Sequence, residues 1–391
     1  MKELLVLIMF LICLAVQGQE KKEVFLQSKM NGSKTLSDGT TVEFWGYGIE
    51  NQTTGNAKIE LPGPTLRFNL GDTAVIQLNN DSPEDHTIHW HGLDVDQEND
   101  GVGHTSSDVH AGDTFMYEFV CTHPGTYLYH CHVLTPLHQA MGMYGVFIIN
   151  GKDENHLYEE NETKFTKEYS FLFSEMNTNW NINPLSPGPF ALYEADYVMI
   201  NGFSGQQLES EENVVKANED DTLALRLSNM GYGSAEVLFP EELDVYIVGT
   251  DGRRIPKKSI DNVTLFPGER FDLIIRPNSS FDGEIPVNYY DLRNYNLIGV
   301  NEIQINISPG LGINTPSHKN TFKAYPVPFN KSLTVEVNDY PITLNLYDLT
   351  GRSIYADELV KNKTQLNNLP FMLKGIYILK VGDERTLIQK K

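Results

Sequence analysis

The stretch TAVIQLNN (Thr73–Asn80) shows the pattern that recurs along this 391-residue chain. Similar short runs with alternating apolar residues occupy residues 114–120, 222–229 and 271–277, and Gly-Asp, Asn-Gly, Asp-Gly and Pro-Gly pairs supply turn signals between such runs. Alternation of this kind is typical of strands that bury one face, and no long segment repeats with the period of a helix. The sequence therefore predicts an all-β protein built from antiparallel β-sandwiches.

Length and charge divide the chain into several parts. A chain of this length is expected to form two or three domains of roughly 100–200 residues each. The segment from Lys319 to the end contains 11 Lys and Arg and 7 Asp and Glu and is therefore net positive, whereas the whole chain carries a net charge of −22. A segment rich in Gly, Pro, Ser and Asn precedes this change. We predict units at 19–150, 151–308 and 320–391, with a linker at 309–319.

The first residues predict export. Residues 1–18 combine a basic start, an apolar run and small residues, which is typical of a secretory signal peptide. No other apolar run is long enough for a transmembrane segment. The strong negative charge argues against nucleic acid or an anionic membrane as a partner. We expect a soluble, secreted protein.

Nine of the 11 histidines lie in the first unit, and several share two short segments. Side chains along a strand alternate between its two faces. If HTIHWHG (86–92) and YLYHCHV (127–133) are extended, their metal-ligand side chains fall into two groups. One group holds four imidazoles, and the other begins with a histidine and a cysteine; these are His89, His91, His130 and His132 in the first group, and His86 and Cys131 in the second.

The loop that follows can complete the second group. It offers His138 and Met143, and two His, one Cys thiolate and a weak axial Met form the ligand set of a blue-copper site. The four imidazoles lack a thiolate and suit copper that meets small oxygen-containing ligands. Zinc is an alternative metal, although the spacing is not that of a zinc finger. A disulfide between Cys121 and Cys131 is an alternative for the cysteines.

The first unit resembles the cupredoxin domains of multicopper oxidases. The motifs PGPTLRFNLGD (62–72), HWHG, DGVG, GTYLYHCH and MGMYGVFII follow the order of the family's first domain. The resemblance implies that the type 1 copper ligands are His86, Cys131, His138 and Met143, with Met141 a less suitable axial residue. It implies a type 2 ligand at His89 and type 3 ligands at His91, His130 and His132.

An acidic loop follows the first histidine segment. Asp94, Asp96, Glu98 and Asp100 are expected to be solvated as a group, because charged loop residues usually are. Asp100 differs, since the resemblance implies that its carboxylate relays protons during dioxygen reduction. His104, His110 and His123 lie in turn-rich segments and are expected at the surface.

The other two units also resemble known domains. With the motifs YVMINGF, LALRLSNMG, VGTDGRRIP and FPGERFDLII, residues 151–308 are similar to the copper-free middle domain of three-domain oxidases. With the segments 347–351 and 375–380, residues 320–391 are similar to C-terminal sorting domains of the type IX secretion system. The family's trinuclear cluster takes eight histidines, of which this chain offers four. We therefore expect a homo-oligomer in which a second copy supplies the other four.

The leading hypothesis is a copper-dependent oxidoreductase that takes electrons from a small-molecule or metal-ion reductant and passes them to dioxygen. We expect it to be exported through the periplasm and to be secreted or held at the cell surface. One alternative is a type 1 copper electron-transfer or copper-binding protein without oxidase activity. Another is a nitrite-reductase-like enzyme, which would need a histidine from a neighbour's second domain. The sequence leaves the reducing substrate open.

Overall fold

A computed structural model describes residues 20–151, 153–184, 188–210, 213–309, 322–338, 340–348, 352–367, 374–382 and 384–391. The predicted signal peptide, and all but the first residue of the predicted linker, lie outside the described residues. Among the residues described, no helix is long and apolar enough to cross a bilayer.

The described part of the chain is all-β, as predicted, and the helices in it are short. The helices are α1 (Thr135–Ala140) and α2 (Thr178–Ile182), with 3-10 turns at Asn161–Thr163, Phe190–Leu192 and Gly205–Glu209. The strands are β1 (Lys21–Thr35), β2 (Thr41–Asn51), β3 (Asn56–Ala57), β4 (Gly63–Asn69), β5 (Thr73–Asn80), β6 (His89–His91), β7 (Thr114–Val120), β8 (Gly125–His130), β9 (Tyr144–Asn150), β10 (Lys167–Met176), β11 (Tyr197–Ile200), β12 (Val215–Asn218), β13 (Leu223–Asn229), β14 (Ser234–Leu238), β15 (Leu243–Thr250), β16 (Arg253–Ile260), β17 (Asn262–Leu265), β18 (Arg270–Pro277), β19 (Phe281–Tyr290), β20 (Leu297–Ser308), β21 (Phe322–Tyr325), β22 (Ser332–Val337), β23 (Ile342–Tyr347), β24 (Ser353–Leu359), β25 (Lys363–Asn367), β26 (Gly375–Val381) and β27 (Glu384–Lys390).

The chain divides into two compact units between residues 311 and 312. The first unit contains two sandwiches. Sheets β3-β2-β1-β5-β7 and β4-β9-β8-β6 form the first sandwich, and sheets β11-β10-β13-β18-β15-β16 and β12-β20-β19-β14-β17 form the second. The second unit contains sheets β21-β22-β25 and β24-β23-β26-β27, whose apolar faces share one core.

The four sheets of the first unit are mixed, which corrects the expectation of purely antiparallel sandwiches there, whereas the sheets of the second unit are antiparallel. Strands β1 and β5, β4 and β9, β10 and β13, and β12 and β20 pair in parallel. The alternation of apolar residues reports which face a strand buries and not the direction of its neighbour. The sequence pattern therefore could not distinguish the two arrangements.

Buried charges join the two sandwiches of the first unit. The Arg226 side chain is fully buried; its Nε lies 2.5 Å from Glu168 Oε1, and its Nη1 donates to Thr126 Oγ1 at 3.1 Å. Thr126 in turn donates to Asp272 at 2.5 Å, and Arg67 pairs with Glu168 at 2.6 Å. Because a buried charge is costly when unpaired, these groups hold the two sandwiches in one arrangement.

Candidate metal centre

The short strand β6 presents its histidines on one face. It pairs with β8 so that His89 lies opposite His130 and Trp90 lies opposite Tyr129. Trp90 and Tyr129 are buried in the apolar core of the first sandwich. Since strand side chains alternate, burying Trp90 turns His89 and His91 to the opposite face of the sheet.

The first ligand cluster, which we call the thiolate group, consists of His86, Cys131 and His138. All three residues are buried, and their ligand atoms lie within 4.8 Å of one another. Cys131 Sγ is 3.6 Å from His86 Nδ1 and 3.2 Å from His138 Nδ1. Helix α1, which carries His138, folds the chain back over Cys131.

The thiolate group fits a soft metal ion. Bonds of about 2.3 Å to sulfur and 2.0 Å to nitrogen at a tetrahedral angle place the two donors roughly 3.5 Å apart, close to the observed separations. Burial lowers the pKa of His86 to about 3 and that of His138 to about 4, so both imidazoles are neutral and can donate lone pairs. Burial also raises the pKa of Cys131 to about 11, so metal binding must displace its proton.

The two candidate axial methionines are both buried beside this group. The Met143 N–H donates to the His138 carbonyl at 3.0 Å, and the Met143 carbonyl accepts from the Cys131 N–H at 3.0 Å. The Met141 carbonyl instead accepts from the Trp45 N–H, and the Trp45 ring stands edge-on to His138 at 5.3 Å. The backbone of Met143 is therefore tied to both neighbouring ligands.

The second cluster, which we call the imidazole face, consists of His89, His91, His130 and His132. The ligand nitrogens of the first three lie within 4.8 Å of one another. The His132 ring is 5.3 Å from the His89 ring and 6.0 Å from the His130 ring between centroids. The His89 side chain keeps 21% of its surface exposed, and His91 and His132 are half-buried. The face is therefore open on one side.

Hydrogen bonds orient two of these rings. His89 Nδ1 lies 2.8 Å from the Asp100 carbonyl oxygen, and His130 Nδ1 lies 2.9 Å from the Cys131 carbonyl oxygen. A carbonyl can only accept, so each Nδ1 carries the proton and each Nε2 is left for a metal. Burial lowers the pKa of His130 to about 3. The pKa of His91 falls to about 4, through burial first and the Arg270 charge second.

The two clusters are joined through three consecutive residues. His130 and His132 belong to the imidazole face, and Cys131 between them belongs to the thiolate group. The Thr87 hydroxyl accepts from the His132 N–H at 3.1 Å and steadies this segment. The arrangement supplies a short covalent path between the thiolate group and the imidazole face.

The four acidic residues of the loop after β6 make different contacts. Asp100 Oδ1 lies 3.3 Å from His89 Nδ1. Asp94 pairs with Arg253 through both carboxylate oxygens, at 2.8 and 2.9 Å, and so contacts the second sandwich. The Asp96 carboxylate accepts from the Asn99 N–H within the loop, and Glu98 is exposed. Of the four residues, Asp100 is the one placed beside the imidazole face.

Several other sequence predictions can be compared with the structure. Cys121 and Cys131 are both free and buried, so the disulfide alternative is wrong. His104, His110 and His123 are exposed. His156, the one histidine among residues 151–308, bonds to Asp153 at 2.6 Å.

Sequence reasoning missed the residues that the second sandwich places beside the imidazole face. A Cβ added at Gly268 would stand 2.9 Å from His91 Cε1, and one added at Gly92 would stand 2.3 Å from Arg270 Nη2. Arg270 is 4% exposed. Glu84, whose carboxylate lies 3.5 Å from His138 Nε2, was also missed. No spacing in the sequence signals the contacts of Gly268 and Arg270, because these residues are far from the histidines along the chain.

Comparison with known proteins gives two family matches. Residues 42–154 match the multicopper oxidase family, and residues 323–391 match the secretion system C-terminal sorting domain. The chain contains a multicopper oxidase domain. Domains of this family bind copper, which agrees with the donor sets of the thiolate group and the imidazole face. The tail is a type IX sorting domain, as the sequence indicated.

Two curated relatives are each 27% identical to this chain over the residues that align. Copper resistance protein A of Escherichia coli is 27% identical over 263 residues, which are 56% of this chain and 42% of that protein. Laccase-2 of Botryotinia fuckeliana is 27% identical over 273 residues, which are 63% of this chain and 45% of that protein. The chain spans less than half the length of these relatives.

Solved structures share the fold over most of the chain. The blue copper oxidase from Nitrosomonas europaea is 26% identical, with a TM-score of 0.61, and the match covers 77% of this chain and 90% of that one. A copper nitrite reductase from the same organism is 20% identical, with a TM-score of 0.55, and the match covers 74% of this chain and 94% of that one.

Proposed function

We propose that the chain is an exported copper-dependent oxidase. In this proposal it takes single electrons from a reductant at the thiolate group and delivers them to dioxygen at the imidazole face. The observation that carries the proposal is the His130-Cys131-His132 segment, which belongs to both clusters. A signal peptide at residues 1–18 and the sorting tail would take the protein through the periplasm to the cell surface or beyond.

The residues have distinct proposed roles. His86, Cys131, His138 and Met143 would hold one copper ion, and His89, His91, His130 and His132 would hold the cluster. Bound copper supplies one-electron redox chemistry and dioxygen binding. Asp100 holds the His89 ring through its carbonyl, and its carboxylate is well placed to deliver protons to the open face.

A second copy of the chain is proposed to complete the cluster. The imidazole face is open and offers four imidazoles, whereas the second sandwich brings Arg270 rather than a histidine to its edge. A two-fold contact joins the same surface of two subunits. Two imidazole faces meeting in this way would supply eight imidazoles.

The alternative is a type 1 copper protein that transfers electrons or binds copper without reducing dioxygen. The observation that favours it is Arg270, whose guanidinium lies next to His91 and opposes the gathering of cations there. A nitrite-reductase-like enzyme is less well supported, because His156 bonds to Asp153 and residues 151–308 contain no other histidine.

The test measures copper content, solution mass and oxygen uptake of the full chain. A shared three-copper cluster and one type 1 ion per subunit predict about 2.5 copper ions per chain in a dimer, with oxygen uptake when a reductant is added. Cys131→Ser should lose about one ion per chain, the blue colour and oxygen uptake while the dimer persists. Cys121→Ser, at the other buried thiol, is the matched control.

Two results would contradict this proposal. A blue monomer with about one copper ion per chain and no oxygen uptake would favour the electron-transfer alternative. A His130→Ala chain that still forms a fully loaded oligomer would exclude a cluster built from this face.

A further inference from the structure

The second sandwich contains a cavity of about 540 Å³ that the proposed oxidase chemistry does not use. It lies between the end of β10, the 3-10 turn Phe190–Leu192, residues 232–233 and the turn 291–298. One side is formed by the rings of Phe190, Tyr193 and Tyr232, and carboxylates approach it from several elements. Both features bear on which ligand the cavity would accept.

Glu175 is the buried acid of this cavity. It is 8% exposed, and its carboxylate accepts two backbone N–H bonds, from Tyr232 at 3.1 Å and from Gly233 at 3.3 Å. Among the described residues it has no ion pair within 4 Å. Buried carboxylates are usually paired with a cation. Burial raises the pKa of Glu175 to about 7, as expected for a carboxylate that lacks such a partner.

Arg293, the arginine of the cavity lining, is paired with groups other than Glu175. Arg293 pairs with Asp291, and its Nη1 donates to the Ala191 carbonyl at 2.9 Å. Glu194 adds a further carboxylate to the lining. With three acids and one arginine, the lining carries a net negative charge.

The aromatic rings on one side of the cavity also restrict which ligand can bind. The Tyr232 ring lies 4.7 Å from the Phe190 ring and 4.8 Å from the Tyr193 ring between centroids. The Tyr193 hydroxyl is buried and has no hydrogen-bond partner within the described structure. Aromatic faces bind flat apolar groups and attract organic cations. The wall therefore suits a ligand that has both features.

We propose that this cavity binds an organic ammonium ion carried on an aromatic body. The ammonium group pairs with Glu175, and the ring of the ligand lies against Phe190 and Tyr232. The Tyr232 hydroxyl donates to the Pro136 carbonyl, and Tyr193 packs with Ala140, so the aromatic wall of the site backs onto helix α1. Binding requires neither copper nor a second subunit, so its failure is separate from failure of the proposed oxidase function.

The test compares two probes of nearly the same shape by calorimetry on the full chain at pH 8, as purified and again after metal removal. Phenethylamine is a cation at this pH, and 2-phenylethanol is its neutral counterpart. The amine should bind at least about tenfold more tightly, because a charge-assisted bond to a buried carboxylate is stronger than a neutral one. Glu175→Gln should reduce this ratio to about one.

Two controls keep the outcome decisive. Glu194→Gln makes the same change in charge at an exposed carboxylate of the lining and should keep the ratio within about twofold of the parent value. The comparison of probes on the unsubstituted chain stands even if Glu175→Gln fails to fold. Equal binding of the two probes, no binding of the amine at millimolar concentration, or an unchanged ratio in Glu175→Gln would overturn the proposal.

Discussion

Asp100 shows how one residue contacts the candidate site through two different groups. Its carbonyl accepts a hydrogen bond from His89 Nδ1, and its carboxylate oxygen lies 3.3 Å from the same nitrogen. The first contact belongs to the backbone and survives substitution. The second depends on the side chain, so a variant can separate orientation of the ring from delivery of protons.

Asp100→Asn should therefore keep the blue colour of the type 1 centre while lowering oxygen uptake at least about tenfold at neutral pH, because an amide cannot relay a proton as a carboxylate does. Oxygen electrode traces and the visible spectrum measure the two properties separately. Asp96→Asn, in the same loop, should leave both unchanged. Full oxygen uptake by Asp100→Asn would remove the carboxylate from the mechanism.

The buried imidazoles predict how the copper-free chain responds to acid. Their folded-state pKa values, about 3 for His86 and His130 and about 4 for His138, lie below the ordinary value of 6.5. The unfolded chain therefore takes up protons below pH 6.5 that the folded chain does not. Their stabilising contribution is present above that pH and is lost progressively as the pH falls towards 3 to 4.

We expect the melting temperature of the copper-free chain to fall by at least about 5 °C between pH 7.5 and pH 5. Glu175 acts in the opposite direction, because its raised pKa favours folding as the pH falls through about 7, but one carboxyl is outnumbered by three imidazoles. His130→Asn should weaken the pH dependence, and His123→Asn, at an exposed site, should not. Circular dichroism melts would contradict the argument if stability rose on acidification.

At the scale of elements, the loop between β6 and β7 makes a close backbone contact with the start of β6 at Gly101. Gly101 has a φ of +70°, and a Cβ there would stand 1.9 Å from the Ile88 carbonyl oxygen. Gly112 has a φ of +81° with open space around its Cβ position. The two glycines therefore share backbone strain on substitution but differ in steric contact.

Gly101→Ala should move the loop away from β6 and draw Asp100 from His89, whereas Gly112→Ala should introduce strain alone. We expect Gly112→Ala to cost about 1 kcal/mol of unfolding free energy and Gly101→Ala at least about 2 kcal/mol more, with loss of oxygen uptake. Denaturant titrations and oxygen uptake test this. Equal effects of the two substitutions would show that the close approach is unimportant.

At the scale of the whole first unit, the buried ions between the two sandwiches hold the second sandwich against the first. Arg226 contacts Glu168, Asp272 and Thr126, which come from both sandwiches. The same packing places Arg270 beside His91 and Tyr232 beside helix α1. The surroundings of both ligand clusters therefore depend on this interface.

Arg226→Met should destabilise the first unit by about 3 to 5 kcal/mol, because it leaves the buried Asp272 carboxylate without its cation and removes one of the two cations that pair with Glu168. Arg276→Met, at an exposed position of β18, should cost less than about 1 kcal/mol. Urea unfolding of both variants gives the comparison. A small effect of Arg226→Met would mean that the two sandwiches are held by apolar contacts.

The predictable part of this protein is local in sequence. Alternating apolar residues in short runs were enough to predict an all-β chain. The alternation of side chains between the two faces of a strand separated Cys131 from His130 and His132. The loop after Cys131 offered His138 and Met143 as its remaining ligands, and the family resemblance implied the same pair; a helix of six residues carries His138 back to Cys131. The direction of paired strands was not predictable, because face alternation is the same in parallel and antiparallel sheets.

Residue types and the two-residue repeat of strands were therefore enough to predict the fold class, to separate two groups of candidate ligand residues and to count the histidines available to a cluster. The folded chain was needed to show that Arg270 lies beside His91, that Glu175 is buried with no cation paired to it among the described residues, and that Tyr232 contacts helix α1. Each of these features joins residues that are distant in the chain or depends on packing around a buried group. Such contacts are set by packing within and between the two sandwiches, which no local repeat encodes.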